Sequence, residues 1–197
     1  MKWGNLVLSY QKSVVFLVPF VLAACGGGSS SNALNFAELS ALEAQLELER
    51  ISLFPVATAD LPSGGDANYA GTINLRNTAT PDDRVLGALT LAASFAGSGS
   101  SFSGTATDFQ NPNGDAVEGT LAFTDMTKGI GEFFVGDADG TLELAGGLMT
   151  VDATTGFAIV FGDDQEFIQS TSMRGTATPT GGGTPFEVRG AWTVKQQ

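Results

Sequence analysis

From Tyr69 to the C-terminus the chain repeats one pattern, a bulky apolar residue or a glycine at every second position with polar residues between. Tyr69, Gly71, Ile73 and Leu75 form the first set, and Val85, Gly87, Leu89, Leu91, Ala93 and Phe95 the next. Val117, Gly119, Leu121 and Phe123 follow. The chain closes on Phe186, Val188, Gly190, Trp192 and Val194, alternating with Glu187, Arg189, Ala191, Thr193 and Lys195. Successive side chains of a strand point to opposite faces, so this period predicts half-buried strands. Turn formers separate the sets at Asn77 to Asp83, Gly97 to Ser100 and Asn111-Pro112-Asn113-Gly114-Asp115. Further strands are expected over 102–109, 131–136, 140–145, 156–161, 167–178 and 185–195, with Gly136-Asp137-Ala138-Asp139-Gly140 as a turn.

Strands joined by short connections without intervening helices read as an antiparallel meander in an all-β fold. Glycines recur inside the apolar sets, at Gly71, Gly87, Gly104, Gly119 and Gly190. Glycine weakens a strand unless the backbone must bend or approach another closely there. Repeated bending suits an up-and-down β-barrel of about eight strands, and closure removes exposed edges. A sandwich is the other arrangement of such strands. The opposite faces carry Thr72, Asn74, Thr105, Thr107, Glu118, Thr120, Glu187 and Arg189, which suit water rather than lipid. A soluble barrel is therefore expected over 61–197.

The N-terminal third differs. Lys2 and Lys12 precede an apolar run, Val14 to Leu22, too short to span a bilayer as a helix. Residues 1–24 thus read as a secretory signal peptide. Leu22-Ala23-Ala24-Cys25 resembles the lipobox of bacterial lipoproteins, which implies that Cys25 is acylated and becomes the first mature residue. Residues 25–34 read as lipid anchor and Gly/Ser tether. From Asn35 to about Leu53, Leu39, Leu42, Leu46 and Leu53 recur at helical spacing, with Glu38, Glu43 and Glu47 on other faces. Asn32 or Asn35 can cap this helix and Pro55 ends the run. Residues 35–60 are then a short amphipathic helix and linker, whose leucines should dock on the barrel or across one of its mouths.

Charge and composition narrow the chemistry. The chain has 21 Asp and Glu against nine Lys and Arg, no histidine and one cysteine. Removing residues 1–24, with Lys2 and Lys12, takes the formal charge from −12 to −14. That balance argues against nucleic-acid or anionic-lipid binding through a basic patch. With Cys25 lipidated no disulfide can form, and a monomer is expected. Lack of histidine removes the usual general base and the commonest metal ligand, and no Gly-x-Ser-x-Gly elbow is present. No enzyme and no catalytic residues are expected.

The carboxylate pairs Asp137 with Asp139 and Asp163 with Glu166 read as solvated turns. Asp137-Ala138-Asp139-Gly140 resembles part of a calcium loop, but Glu143 comes too early for the distal ligand, so no metal is expected. A haem would need Tyr69, Met126, Met149 or Met173 as axial ligand. Tyr69 is expected instead to pack at the barrel mouth with its hydroxyl wet. Phe95, Phe109, Phe123, Phe133, Phe157, Phe161 and Phe186 are expected in the core. No cofactor is expected, and ligand-binding residues are unassigned.

The strands resemble the barrel domain of the transferrin-binding protein B family of Gram-negative surface lipoproteins. Leu61-Pro62-Ser63-Gly64-Gly65, Tyr69-Ala70-Gly71 and Gly87-Ala88-Leu89-Thr90-Leu91 to Phe95 carry the resemblance. So do Ser103-Gly104-Thr105-Ala106-Thr107-Asp108-Phe109, Val117-Glu118-Gly119-Thr120-Leu121 and Phe186 to Val194. The resemblance covers about residues 61 to 197, with one barrel, no handle domain and no counterpart of the long loops that grip a host protein. It implies a lipidated barrel serving as a binding module for a host or envelope protein or a small ligand. No family contact residue carries over. Gly26 after the cysteine resembles lipoproteins that leave the inner membrane, which places the barrel on the outer membrane, at the cell surface or its periplasmic face. The alternative is a structural or adhesive envelope lipoprotein without a discrete ligand.

Overall fold

The computed structural model describes residues 33–80, 83–129 and 131–197. The signal segment, Cys25 and Gly26 to Asn32 lie outside the described residues. One helix, α1 (Phe36–Arg50), precedes ten strands. These are β1 (Asp66–Asn77), β2 (Arg84–Ser94), β3 (Ser101–Gln110), β4 (Ala116–Val117), β5 (Gly119–Lys128), β6 (Phe134–Leu144), β7 (Gly147–Thr154), β8 (Ala158–Phe161), β9 (Phe167–Pro179) and β10 (Phe186–Gln196).

All pairings are antiparallel, in the order β1-β2-β3-β5-β6-β7-β9-β10, and β10 returns to β1. β4 pairs with β3 in line with β5, and β8 pairs with β9 in line with β7, so ten strands build an eight-strand closed barrel. The closing pair runs from Tyr69 opposite Gln196 to Asn77 opposite Val188. Two glycines show what closure demands. A Cβ on Gly71 would lie 2.0 Å from the Thr193 carbonyl oxygen, and Gly119 breaks β4 from β5 at φ +124°.

The apolar sets point inward as the alternation requires. Trp192, Tyr69, Phe102, Phe109, Phe123 and Phe134 are fully buried. Edge-to-face ring pairs link strands across the interior: Phe102 of β3 with Phe134 of β6 at 4.7 Å, and Phe123 of β5 with Trp192 of β10, on the opposite side of the barrel, at 5.9 Å. The interior is filled by side chains, as an eight-strand barrel permits.

Several sequence expectations are corrected. The two strands expected at 131–136 and 140–145 are one continuous β6, and Gly136–Gly140 is strand rather than turn. Asp137 and Asp139 project from the outer face while Ala138 is buried inside, so the charges stay solvated without leaving the sheet. Residues 147–154, which the alternation had not assigned to a strand, form β7, with Met149, Val151 and Ala153 inward and Thr150, Asp152 and Thr154 outward. Phe133 and Phe157 are not core; they pair with each other at 5.1 Å, and Phe157 is 53% exposed, while Phe134 takes the interior position.

Asn35 caps α1 with a capping box: its side chain accepts from the Glu38 N–H at 3.0 Å, and its own N–H donates to Glu38 Oε2 at 2.9 Å. The helix ends at Arg50, short of Pro55. It lies on the outer wall against β1, β2 and β10 rather than over a mouth. Leu39 and Leu46 are buried there and Leu42 is half-buried. Leu46 packs with Phe161 and Phe167, so Phe161 lies under the helix rather than in the barrel core. Thr72, expected to face water, is also buried on this wall. Polar clamps run the helix's length: Glu43 accepts from Asn74 Nδ2 at 3.0 Å and pairs with Arg84, Glu47 accepts from Gln169 Nε2 at 2.7 Å, and Glu49 accepts from Lys195 Nζ at 2.7 Å.

A candidate ligand site at the open mouth

The two ends of the barrel are built differently. At one end the segment between α1 and β1 crosses the strand connections. The Val56 N–H donates to the Val160 carbonyl at 2.8 Å, and the Thr58 N–H to the Glu132 carboxylate. The Gly97 N–H donates to the Pro62 carbonyl at 2.7 Å, and Leu61 is buried with the barrel core. That end is sealed. The hydrogen bond from Thr58 holds the Glu132 carboxyl below the usual carboxylate range.

At the opposite end, the β1–β2, β3–β4 and β6–β7 connections and the start of β10 surround a cavity of about 730 Å³. Its floor is apolar, made by the buried Leu75, Val85 and Val188. Its rim is charged, carrying Asp83, Asp115 and Glu143 together with Arg76 and Arg84. Asn111 fixes the β3–β4 loop at this rim. Its Oδ1 accepts from the Asn113 N–H at 2.9 Å and the Asp115 N–H at 3.0 Å, an arrangement typical of an Asx turn. Strand alternation puts apolar side chains inside up to the last turn, and the connections then supply polar groups. A floor and rim of this kind, at this volume, fit a small ligand or an inserted side chain that is apolar at one end and polar at the other.

Of the candidate residues named from sequence, only Glu143 and Phe186 line this cavity. Asp137 and Asp139 sit mid-strand on the outer wall, where Asp139 stands opposite Asp152 and accepts from the Ala153 N–H at 3.3 Å. Asp163 and Glu166 flank the β8–β9 connection at the sealed end. Among the described residues no three metal-ligating side chains come together. Met126, Met149 and Met173 are packed in the core.

Tyr69 is corrected most plainly. Its ring is buried, and its hydroxyl donates to the Gln165 carbonyl at 2.8 Å instead of meeting water. Burial pushes that hydroxyl up to about pKa 12. The mouth residues were missed because they come from three separate connections and the ends of the strands beside them, each connection reading only as a turn; Asn111 to Asp115 was the one local signal.

No protein-family model, curated protein or solved structure matches the chain. The reading of this mouth therefore rests on its own geometry.

Proposed function

We propose that the protein is an outer-membrane lipoprotein, anchored through Cys25, whose barrel is a binding module that takes an amphiphilic small ligand or a projecting segment of a partner protein at its open mouth. The observation that carries this reading is the difference between the ends, one sealed by residues 55–65 and the other holding a cavity of about 730 Å³ over a buried apolar floor. The resemblance to the transferrin-binding protein B barrel is compatible with it, and transferrin itself is not implied. A binding role needs no catalytic group, and the mouth presents carboxylates and guanidiniums without a nucleophile–base pair.

The structural or adhesive envelope lipoprotein stays as the second reading because the barrel interior is filled. Two experiments separate these. Cys25→Ser should release the protein from the membrane fraction or block its processing, and an unchanged membrane association would overturn the anchor. Envelope extract and host serum proteins are then passed over wild type and over Leu144→Trp, which adds bulk to the cavity wall without touching a fully buried position. A ligand retained by wild type and lost by the variant supports the mouth. Equal capture places binding elsewhere, and no capture by either favours the structural reading.

A further inference from the structure

Four of the nine Lys and Arg in this acidic chain stand in one row across the outer wall. In β-sheet register Arg84 lies opposite Arg76, Arg76 opposite Arg189, and Arg189 opposite Arg174. Adjacent strands are about 4.8 Å apart, so the row spans about 14 Å of wall. Like charges directly opposed across a sheet are destabilising, and this row places three such pairs side by side. Surface carboxylates relieve only part of it. Glu43 pairs with Arg84 and Glu187 with Arg189, while Arg76 and Arg174 have no carboxylate partner among the described residues. The Arg84 Nε is buried and makes no hydrogen bond among the described residues.

The four arginines do more than lie in a row. Together with Asn74, Thr171 and Ser172 they line a groove of about 380 Å³ on the outer wall. It is separate from the mouth on the β9 side, since Arg174 and Arg189 line the groove alone while Arg76 and Arg84 stand on the ridge between the two. Guanidiniums bind phosphate oxygens in pairs with charge-assisted hydrogen bonds, and hydroxyl and amide side chains beside them supply further donors.

From this geometry we infer that the outer-wall groove is a binding site for a ligand carrying two or more phosphate groups. The overall negative charge does not oppose it. Screening confines the field of distant carboxylates to within about 10 Å at 0.1 M salt, so a compact anion in the groove meets mainly the arginines. A large acidic protein, in contrast, would meet the acidic surface as well. Net charge does not register this row, because strand register gathers arginines that are scattered in sequence.

The phosphates can belong to a free metabolite or to a lipid headgroup. The chain enters the barrel at Asn35, and Phe36 packs its ring 5.6 Å from the Arg84 guanidinium. The headgroup source rests on the anchoring proposed above; the free-ligand source does not.

The test uses the full-length protein in dodecyl maltoside micelles, by calorimetry and thermal unfolding. Probes are inorganic phosphate, pyrophosphate and inositol hexakisphosphate in solution, and cardiolipin, whose headgroup holds two phosphates, doped into the micelles. Binding that strengthens with phosphate number, raises the Tm and weakens with added salt is expected. Arg174→Gln, which lies outside the mouth, should weaken it at least about tenfold, the share of one charge-assisted hydrogen bond. Arg76→Gln should do the same, and neither should lower the Tm of the free protein, since each removes like-charge repulsion. A response to cardiolipin alone assigns the headgroup, and a response to the soluble probes assigns a free ligand. No response to any probe, equal binding by Arg174→Gln, or equal binding of polyglutamate would overturn the inference.

Discussion

Trp192, on the last strand, donates its indole N–H to the Thr155 carbonyl 3.2 Å away, at the break between β7 and β8. Thr155 in turn binds β6, its N–H donating to the Gly136 carbonyl at 2.8 Å and its hydroxyl oxygen accepting from the Gly136 N–H at 2.9 Å. With Phe123 of β5 against the Trp192 ring, one side chain connects four parts of the wall through the interior.

Trp192→Ala should therefore cost about 3–5 kcal/mol, the range for emptying an aromatic core position. Trp192→Phe keeps a ring near Phe123 but strands the Thr155 carbonyl, and should cost about 1–3 kcal/mol. Urea unfolding followed by far-UV circular dichroism measures both. No loss in Trp192→Phe would mean that the indole hydrogen bond contributes nothing, and equal losses would mean that the ring against Phe123 contributes nothing.

Closure itself is testable by truncation. A chain ending at Gly183 loses β10, which pairs with both β1 and β9, and leaves two long unpaired edges beside an opened core. It should aggregate on size-exclusion chromatography. A monomeric, cooperatively unfolding product would show that the closing strand is dispensable.

How much of this was legible depended on whether a feature is local. The alternation of Phe186 to Val194 reads directly as a strand because one face is buried throughout. Capping of α1 by Asn35 is likewise local, with Glu38 three residues on. The Asp137-Ala138-Asp139-Gly140 stretch misleads because its composition is that of a turn, while only the partners at Asp152 and Ala122 make it strand. Tyr69 looked wet because the polar partner of its hydroxyl, Gln165, lies 96 residues away. The mouth and the arginine row are products of register across many strands, and no single stretch carries either.

The docked helix makes an acid-pH prediction. Hydrogen bonds from Arg50 hold the Glu47 carboxyl below the usual carboxylate range, and those from Lys195 do so for Glu49. A depressed folded-state pKa contributes stability above the unfolded value, near 4.3, that is lost as pH falls through the folded value. The clamp should loosen below about pH 4, seen as earlier amide exchange in α1 than in the barrel. Glu49→Gln should shrink that pH dependence. Leu39→Ala or Leu46→Ala should undock the helix at any pH, at about 2–5 kcal/mol each. An α1 that exchanges fast in wild type at pH 7 would make it a spacer instead.

Tyr69 gives the opposite limb. Its hydroxyl is raised from 10.0 to about 12 by burial, so the folded state holds this proton more tightly than the unfolded chain does. Stability from this group is full below pH 10 and is lost as pH rises from 10 towards 12, by about 2–3 kcal/mol in all. The ionised hydroxyl could no longer donate to the Gln165 carbonyl, which adds to the loss. Tyr10 is the only other tyrosine and lies in the expected signal segment, so in the processed protein tyrosinate absorbance would report Tyr69 alone. That absorbance should appear together with unfolding rather than before it. Tyr69→Phe should begin about 1 kcal/mol less stable through the lost hydrogen bond, yet show no decline between pH 10 and 12 that tracks tyrosine ionisation. Tyrosinate forming near pH 10 in a still-folded barrel would show that the hydroxyl is solvated and that the packing around Tyr69 is looser than its geometry implies.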